Sequence, residues 1–197
     1  ITTLEGRSAP TKDRAEAAGF RDSGSLDSLL GEADIVLCIM PPEYAPATAN
    51  AVADAMRRSG HTPPYVDCNA IAPETAKQID AVITGAGATF TDSGIVGSPP
   101  GKTDKPTRFF TSGPDSAVMD VFDGRGIAVK QCGPEIGRGS AVKMCYAGIT
   151  KGTSALHAAV LVAAEALGVA EDLHEELEYS VGPLYKRMEN LTPALPA

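Results

Sequence analysis

The run Ala33-Asp34-Ile35-Val36-Leu37-Cys38-Ile39-Met40, closed by Pro41-Pro42, is almost entirely apolar. A strand with one face in water alternates apolar and polar residues, whereas a run this uniform suits a parallel sheet covered on both faces. The proline pair stops it, because proline has no N–H to give to a sheet ladder. On either side of this run, residues 1–133 alternate short apolar strands with helical patterns. That alternation predicts a parallel α/β sheet with the Ala33–Met40 strand at its centre.

Ile1-Thr2-Thr3-Leu4 reads as the end of a strand and Gly6-Arg7-Ser8 as a turn. Helices are expected from Thr11 to Ala18, from Ser25 or Asp27, over 47–58, and from Pro73, where proline suits a first helical turn. Further strands are expected at Tyr65–Cys68, Thr89–Asp92, Arg108–Thr111 and Ile127–Lys130. After Gly137-Arg138-Gly139 the pattern changes to one helical segment over 140–167, rich in Ala, Gly, Val and Leu and ended by Gly168. A helix this apolar is expected to be buried over most of its surface. The acidic stretch Glu171–Glu178 begins another helix.

A net charge of −8 and a pI near 4.9 repel a phosphate backbone, so nucleic acid is not an expected partner. No stretch approaches the roughly 20 consecutive apolar residues that span a bilayer, so no membrane partner is expected either. Cys38, Cys68, Cys132 and Cys145 form no C-x-x-C pair and sit in apolar runs, which fits a reducing cytoplasm. The three histidines show no ligand spacing with cysteines or carboxylates, so no metal is expected.

Three features bear on chemistry. The loop Glu5-Gly6-Arg7-Ser8 follows a strand end, and there Arg7 and Ser8 suit the 2′-phosphate of NADP through charge-assisted hydrogen bonds; an exposed loop arginine is the plain alternative. Asp92-Ser93-Gly94-Ile95-Val96-Gly97-Ser98-Pro99-Pro100 runs from a strand into a small-residue loop, where glycines let backbone amides approach an anionic substrate. Lys143 lies one turn into the long helix, and helical steps of three and four put Tyr146, Thr150, Ser154 and His157 on its side. That stripe fits either a cleft lining or a narrow solvent-facing face.

Together, Val66-Asp67-Cys68-Asn69 followed by Pro73, the loop from Asp92 to Ser98, and Gly137-x-Gly139-x-x-x-Lys143 resemble the β-hydroxyacid dehydrogenase superfamily, in particular its 6-phosphogluconate dehydrogenase-like and 3-hydroxyisobutyrate dehydrogenase-related members. The resemblance implies an α/β fold: a Rossmann-type doubly wound sheet over 1–133 that binds NAD(P), then an all-α helical domain for substrate and dimerisation over 134–197. It implies an NADP-preferring oxidoreductase, with NAD possible as cofactor, that moves hydride to or from a hydroxyacid or related carbonyl compound. Lys143 would be the general acid/base, its pKa lowered by burial among Ala141, Val142, Met144 and Ala147. Ser93, Gly94, Val96, Gly97, Ser98, Tyr146 and Thr150 would line the substrate site. Arg7, Ser8, Met40, Pro41, Pro42 and Asn69 would line the cofactor site.

The partners it implies are a small-molecule substrate and a second copy of the chain. Departures from the pattern are Val96-Gly97-Ser98 in place of Ser-Gly-Gly, and Tyr146 and Ala147 where the family places asparagine. They leave open a dehydrogenase-like metabolite-binding protein or an imine-reducing relative. The family's first strand and Gly-x-Gly-x-x-Gly turn are not in the sequence, and the resemblance implies roughly 25 to 30 further residues ahead of Ile1 and a helical segment beyond Ala197.

Overall fold

A computed structural model of the chain describes residues 1–99 and 102–191, with side chains described up to residue 186. The chain divides into two compact units, Ile1–Met144 and Cys145–Ala197.

The first unit is built on a five-stranded sheet in the order β1 (Val36–Cys38), β2 (Tyr65–Asp67), β3 (Phe90–Val96), β4 (Thr107–Ser112), β5 (Ile127–Gln131). β1, β2 and β3 run parallel, and their connections carry α3 (Ala45–Ser59) and α4 (Pro73–Thr84). α3 buries Ala49, Val52, Ala53 and Met56, and α4 buries Ala76, Ile79 and Ile83, each at helical steps of three and four. These faces close over Tyr65 and Phe90, whose rings stack with centroids 6.2 Å apart. A second core of Val66, Cys68, Phe109, Met119 and Val129 forms where alternate strand residues point the other way. The sheet is thus covered on both faces. Ahead of it stand α1 (Ala9–Ala17) and α2 (Leu26–Glu32), and the Ser25 hydroxyl caps α2 by accepting from the Ser28 amide at 3.1 Å.

Several expectations are corrected. Ile1–Leu4 forms no strand in the sheet: only Thr2 bridges to Asp22, because a single bridge gives too few ladder bonds to hold four residues extended. The apolar run at Ala33–Met40 yields three strand residues at the edge of the sheet, not its centre, with Leu37 39% and Ile39 61% exposed. Apolar patterning states that a strand prefers cover but not which strands pair with it. β4 lies antiparallel to β3, with Asp92 opposite Ser112 and Val96 opposite Arg108. α1 is led by Ser8, not Thr11, with Pro10 in its first turn.

α5 (Arg138–Leu167) is one continuous helix of 30 residues, beginning in the first unit. The second unit holds the remainder of α5 and α6 (Ala170–Leu191). Val181 leaves helical geometry at φ −136°, two residues before Pro183, whose ring and missing N–H kink α6. Within this unit His157 meets Tyr185 edge to face at 5.5 Å, and the Tyr185 hydroxyl lies 2.9 Å from His174 Nδ1. Against expectation, Ile149, Leu156, Val162 and Leu167 are exposed on α5, since one neighbouring helix covers only one stripe of it. Among the described residues no helix is long and apolar enough to cross a membrane.

Candidate active site

In parallel α/β sheets, ligands bind beyond the carboxyl ends of the strands, where loops diverge and helix N-termini point. At the ends of β1 and β2 a buried polar cluster fixes the loops. Asn69 Oδ1 accepts from the Met40 amide at 2.7 Å, and Asn69 Nδ2 donates to Asp67 Oδ2 at 3.1 Å and to Cys38 Sγ at 3.4 Å. The Asn69 amide nitrogen donates to Asp67 Oδ1 at 2.9 Å. Both ends of the Asn69 carboxamide are therefore engaged, and the residue acts by holding the Met40-Pro41-Pro42 loop to the end of β2. Pro41 and Pro42 are exposed, and Met40 is half-buried with its sulfur 3.1 Å from Thr48 Oγ1.

Burial pushes the Asp67 carboxyl up to about 6, against its hydrogen bonds from Asn69, and the in-register Asp92 on β3 adds to the upward push. A carboxyl whose folded pKa lies above its unfolded value binds its proton more tightly in the native state. Stability therefore falls as pH rises from about 4 to about 6, and above that the ionised group costs on the order of 3 kcal/mol. Asp67→Asn is expected to remove that slope. Urea denaturation at about pH 4.5 and pH 7.5 measures it, and a variant-minus-native difference that is equal at the two pH values would contradict the assignment.

The loop after Leu4 borders an open groove of about 430 Å³, lined among others by Glu5, Gly6, Arg7, Tyr44 and Thr48. Arg7 makes no ion pair among the described residues. Burial pushes the Cys38 thiol up at the end of β1, and Arg7 is near enough for its charge to oppose the shift. Ser8 precedes the first turn of α1 with its hydroxyl 3.1 Å from Thr11 Oγ1. A guanidinium and a carboxylate, Arg7 and Glu5, thus border the same groove.

On β3, alternation separates neighbours. Ser93 is fully buried and faces the Cys68 thiol, while Asp92 and Gly94 face the first turns of α5. A Cβ on Gly94 would lie 2.6 Å from the Gly139 carbonyl oxygen and 2.8 Å from Lys143 Cβ, so the absence of a side chain here lets α5 lie directly on the strand. Lys143 is half-buried at this contact, with Val142 exposed beside it. Val96 and Ser98 are half-buried and Gly97 exposed; Gly97 and Ser98 border a cavity of about 460 Å³ with Thr103 and Lys105. The Ser98 carbonyl accepts a hydrogen bond from the Thr107 hydroxyl. Pro100 lies outside the described residues. Tyr146 and Thr150 belong to the second unit, where the Thr150 hydroxyl donates to the Tyr146 carbonyl at 2.9 Å.

The structure thus brings Lys143 and Gly94 together and places Arg7 on a groove, while strand alternation puts Ser93 on the opposite sheet face from Gly94. Sequence reasoning assigned no role to Asp92, Ser112 or Ser140. Asp92 Oδ2 accepts from the Ser140 amide at 2.8 Å and the Ser112 hydroxyl at 3.0 Å, and Oδ1 accepts from the Ser140 hydroxyl at 2.5 Å. Ser112 Oγ in turn accepts from the Gly139 amide at 3.0 Å. The available signal was a serine three residues before Lys143, at a helix start whose free amides need acceptors.

No family model matches the chain. An uncharacterised 28.5 kDa protein of Methanothermus fervidus is 26% identical over 181 residues, 92% of this chain and 68% of that protein. Two solved structures show likeness of fold alone. The 3-hydroxyisobutyrate dehydrogenase of Mycobacterium tuberculosis, solved with L-serine, is 22% identical at a TM-score of 0.63, covering 89% of this chain and 61% of that one. An imine reductase of Myxococcus stipitatus, solved with NADP+, is 14% identical at a TM-score of 0.66, covering 93% and 66%. The conserved protein MTH1747, of unknown function and structurally similar to 3-hydroxyacid dehydrogenases, is 31% identical at a TM-score of 0.72, covering 98% of this chain and 72% of that protein. With that identity over nearly its whole length, and with a sheet covered on both faces leading into a long helix that carries Lys143, the chain belongs to the β-hydroxyacid dehydrogenase superfamily.

Proposed function

We propose that the chain is a nicotinamide-dependent oxidoreductase that interconverts a hydroxyacid, or a related carbonyl compound, with its oxidised or reduced partner. The observation that carries this reading is Lys143, held on the first turns of α5 against Gly94 in the C-terminal half of β3. A bound nicotinamide would supply or accept the hydride. Lys143 gives the proton to the carbonyl oxygen in reduction and takes it from the hydroxyl in oxidation, and in its charged form it also polarises the carbonyl.

The groove at Arg7 fits a nucleotide, since an arginine with no ion pair among the described residues borders an open space beside the end of β1. Arg7 favours the 2′-phosphate of NADPH, and Glu5 on the same groove opposes it. Met40, Pro41 and Pro42, fixed by Asn69, would border the cofactor between the ends of β1 and β2. The exposed apolar residues of α5 suit a second copy of the chain as partner.

Fluorescence titration with NADPH and NADH tests the reading. NADPH is expected to bind the more tightly, and Arg7→Ala to weaken NADPH by about tenfold, or about 1.4 kcal/mol, with NADH unchanged. Binding of neither nucleotide would remove the oxidoreductase reading, and equal losses for both would remove the role of Arg7. A panel of hydroxyacids, ketones and imines then identifies the reaction.

A further inference from the structure

Lys143 contributes to chemistry only if the helix that carries it begins at one fixed place on the sheet. The first turn of α5 has amides without intrahelical acceptors, and two of them, Gly139 and Ser140, are met by side chains from the hairpin β3–β4. Asp92 is 1% exposed, and its two oxygens receive three hydrogen bonds from Ser140 and Ser112. A buried carboxylate is costly unless it is bonded in this way, and here it also sits at the positive end of a helix dipole. Three residues on from Ser140, less than one helical turn, is Lys143. Gly94, two residues after Asp92 on the same strand face, receives the Lys143 Cβ.

We propose that Asp92 is the positioning residue of the site, its carboxylate fixing where α5 starts and so where Lys143 stands over Gly94. This rests on the oxidoreductase reading for its catalytic consequence, but the placement of Lys143 is measurable without turnover. The serine at the helix start signals that its amides need an acceptor, but no local pattern names Asp92, which lies 48 residues before Ser140.

The test uses the full chain with Asp92→Ala, Asp92→Asn and Ser140→Ala. Competitive acylation by an amine-selective ester, quantified by peptide mass spectrometry, gives the reactivity of Lys143 relative to the exposed Lys77. Asp92→Ala is expected to change that ratio several-fold. Asp92→Asn is expected to restore it, because the amide oxygen still accepts from the Ser140 amide while its nitrogen donates to the Ser140 hydroxyl. Ser140→Ala is expected to fall between. With a turned-over substrate, Asp92→Ala should lower kcat by about 100-fold, the scale of a misplaced catalytic group, with KM and NADPH affinity unchanged.

A ratio unmoved in folded Asp92→Ala, or an asparagine variant as altered as the alanine one, overturns the proposal. Should the alanine variant fail to fold, the asparagine and Ser140→Ala variants carry the same comparison: native-like reactivity in the first with an altered ratio in the second supports it, and an unaltered ratio in Ser140→Ala overturns it. If the native protein binds nucleotide and turns over no member of the panel, the oxidoreductase reading fails while the acylation ratios still decide the positioning.

Discussion

Alanine at Lys143 is expected to lower kcat and kcat/KM together by about a thousandfold, within the range for loss of a general acid/base, with nucleotide affinity unchanged. The equal fall in both constants follows from the role assigned to the side chain: it meets the reacting oxygen as charge develops, not the substrate in its ground state. Nucleotide affinity should be spared because the residues proposed to hold the nucleotide, Arg7 and the Met40–Pro42 loop fixed by Asn69, belong to other elements. Steady-state kinetics on the panel substrate, alongside an NADPH titration of the variant, separate the two. Turnover at the native rate would refute the role of Lys143, and lost nucleotide binding would show that the lysine holds the cofactor instead.

The second large effect is expected at Gly139, and it is one of stability. A Cβ there would overlap the carbonyl oxygen of Phe110 and lie 3.1 Å from both the carbonyl oxygen and Oδ2 of Asp92. Two of these three atoms are backbone of paired strands, so they cannot turn aside as a flexible side chain would. Gly139→Ala should therefore push α5 off the sheet and destabilise the protein by about 3 kcal/mol, the upper part of the usual range for overpacking. Urea denaturation of the variant beside the native chain measures this, and an unchanged midpoint with an unchanged slope would show that the helix start does not dock on Phe110. Gly139→Ala should also raise the reactivity of Lys143 toward acylation, because the same displacement carries the lysine away from Gly94.

What the sequence made legible was periodicity and punctuation. Steps of three and four in Ala49, Val52, Ala53 and Met56 marked the buried face of α3, Pro73 marked the first turn of α4, and the change after Gly139 marked α5 within two residues. Lys143 stands out through the resemblance of Gly137-x-Gly139-x-x-x-Lys143 to the superfamily's pattern, since helical spacing alone fits a cleft lining and a solvent-facing stripe equally. The rest depends on pairing between distant segments, which no local pattern encodes. The apolar run at Ala33–Met40 asked for cover but could not show that it would lie at an edge, and nothing in Thr107–Ser112 set its direction against β3.

Ser154 and His157 share the helical side of Tyr146, yet they are buried and Tyr146 is exposed. Spacing chooses a face of a helix, and what packs on that face varies along its length. Asp92 reads in the sequence as a strand end, and its hydrogen bonds are invisible there, since its partners come from Ser112 and from Ser140.

The antiparallel pairing of β3 with β4 also sets an order in time. Ten residues separate the end of β3 at Val96 from the start of β4 at Thr107, so closing that hairpin loses little chain entropy. The seat for the helix start is made from both strands, Asp92 on one and Phe110 and Ser112 on the other, and it does not exist until they are paired. The segment carrying Lys143 meets that seat across 48 residues of chain, so the long-range contact at the start of α5 is expected to form after the local hairpin and to open before it, an order that native-state hydrogen exchange at the Ser140 amide against the β3–β4 amides would check.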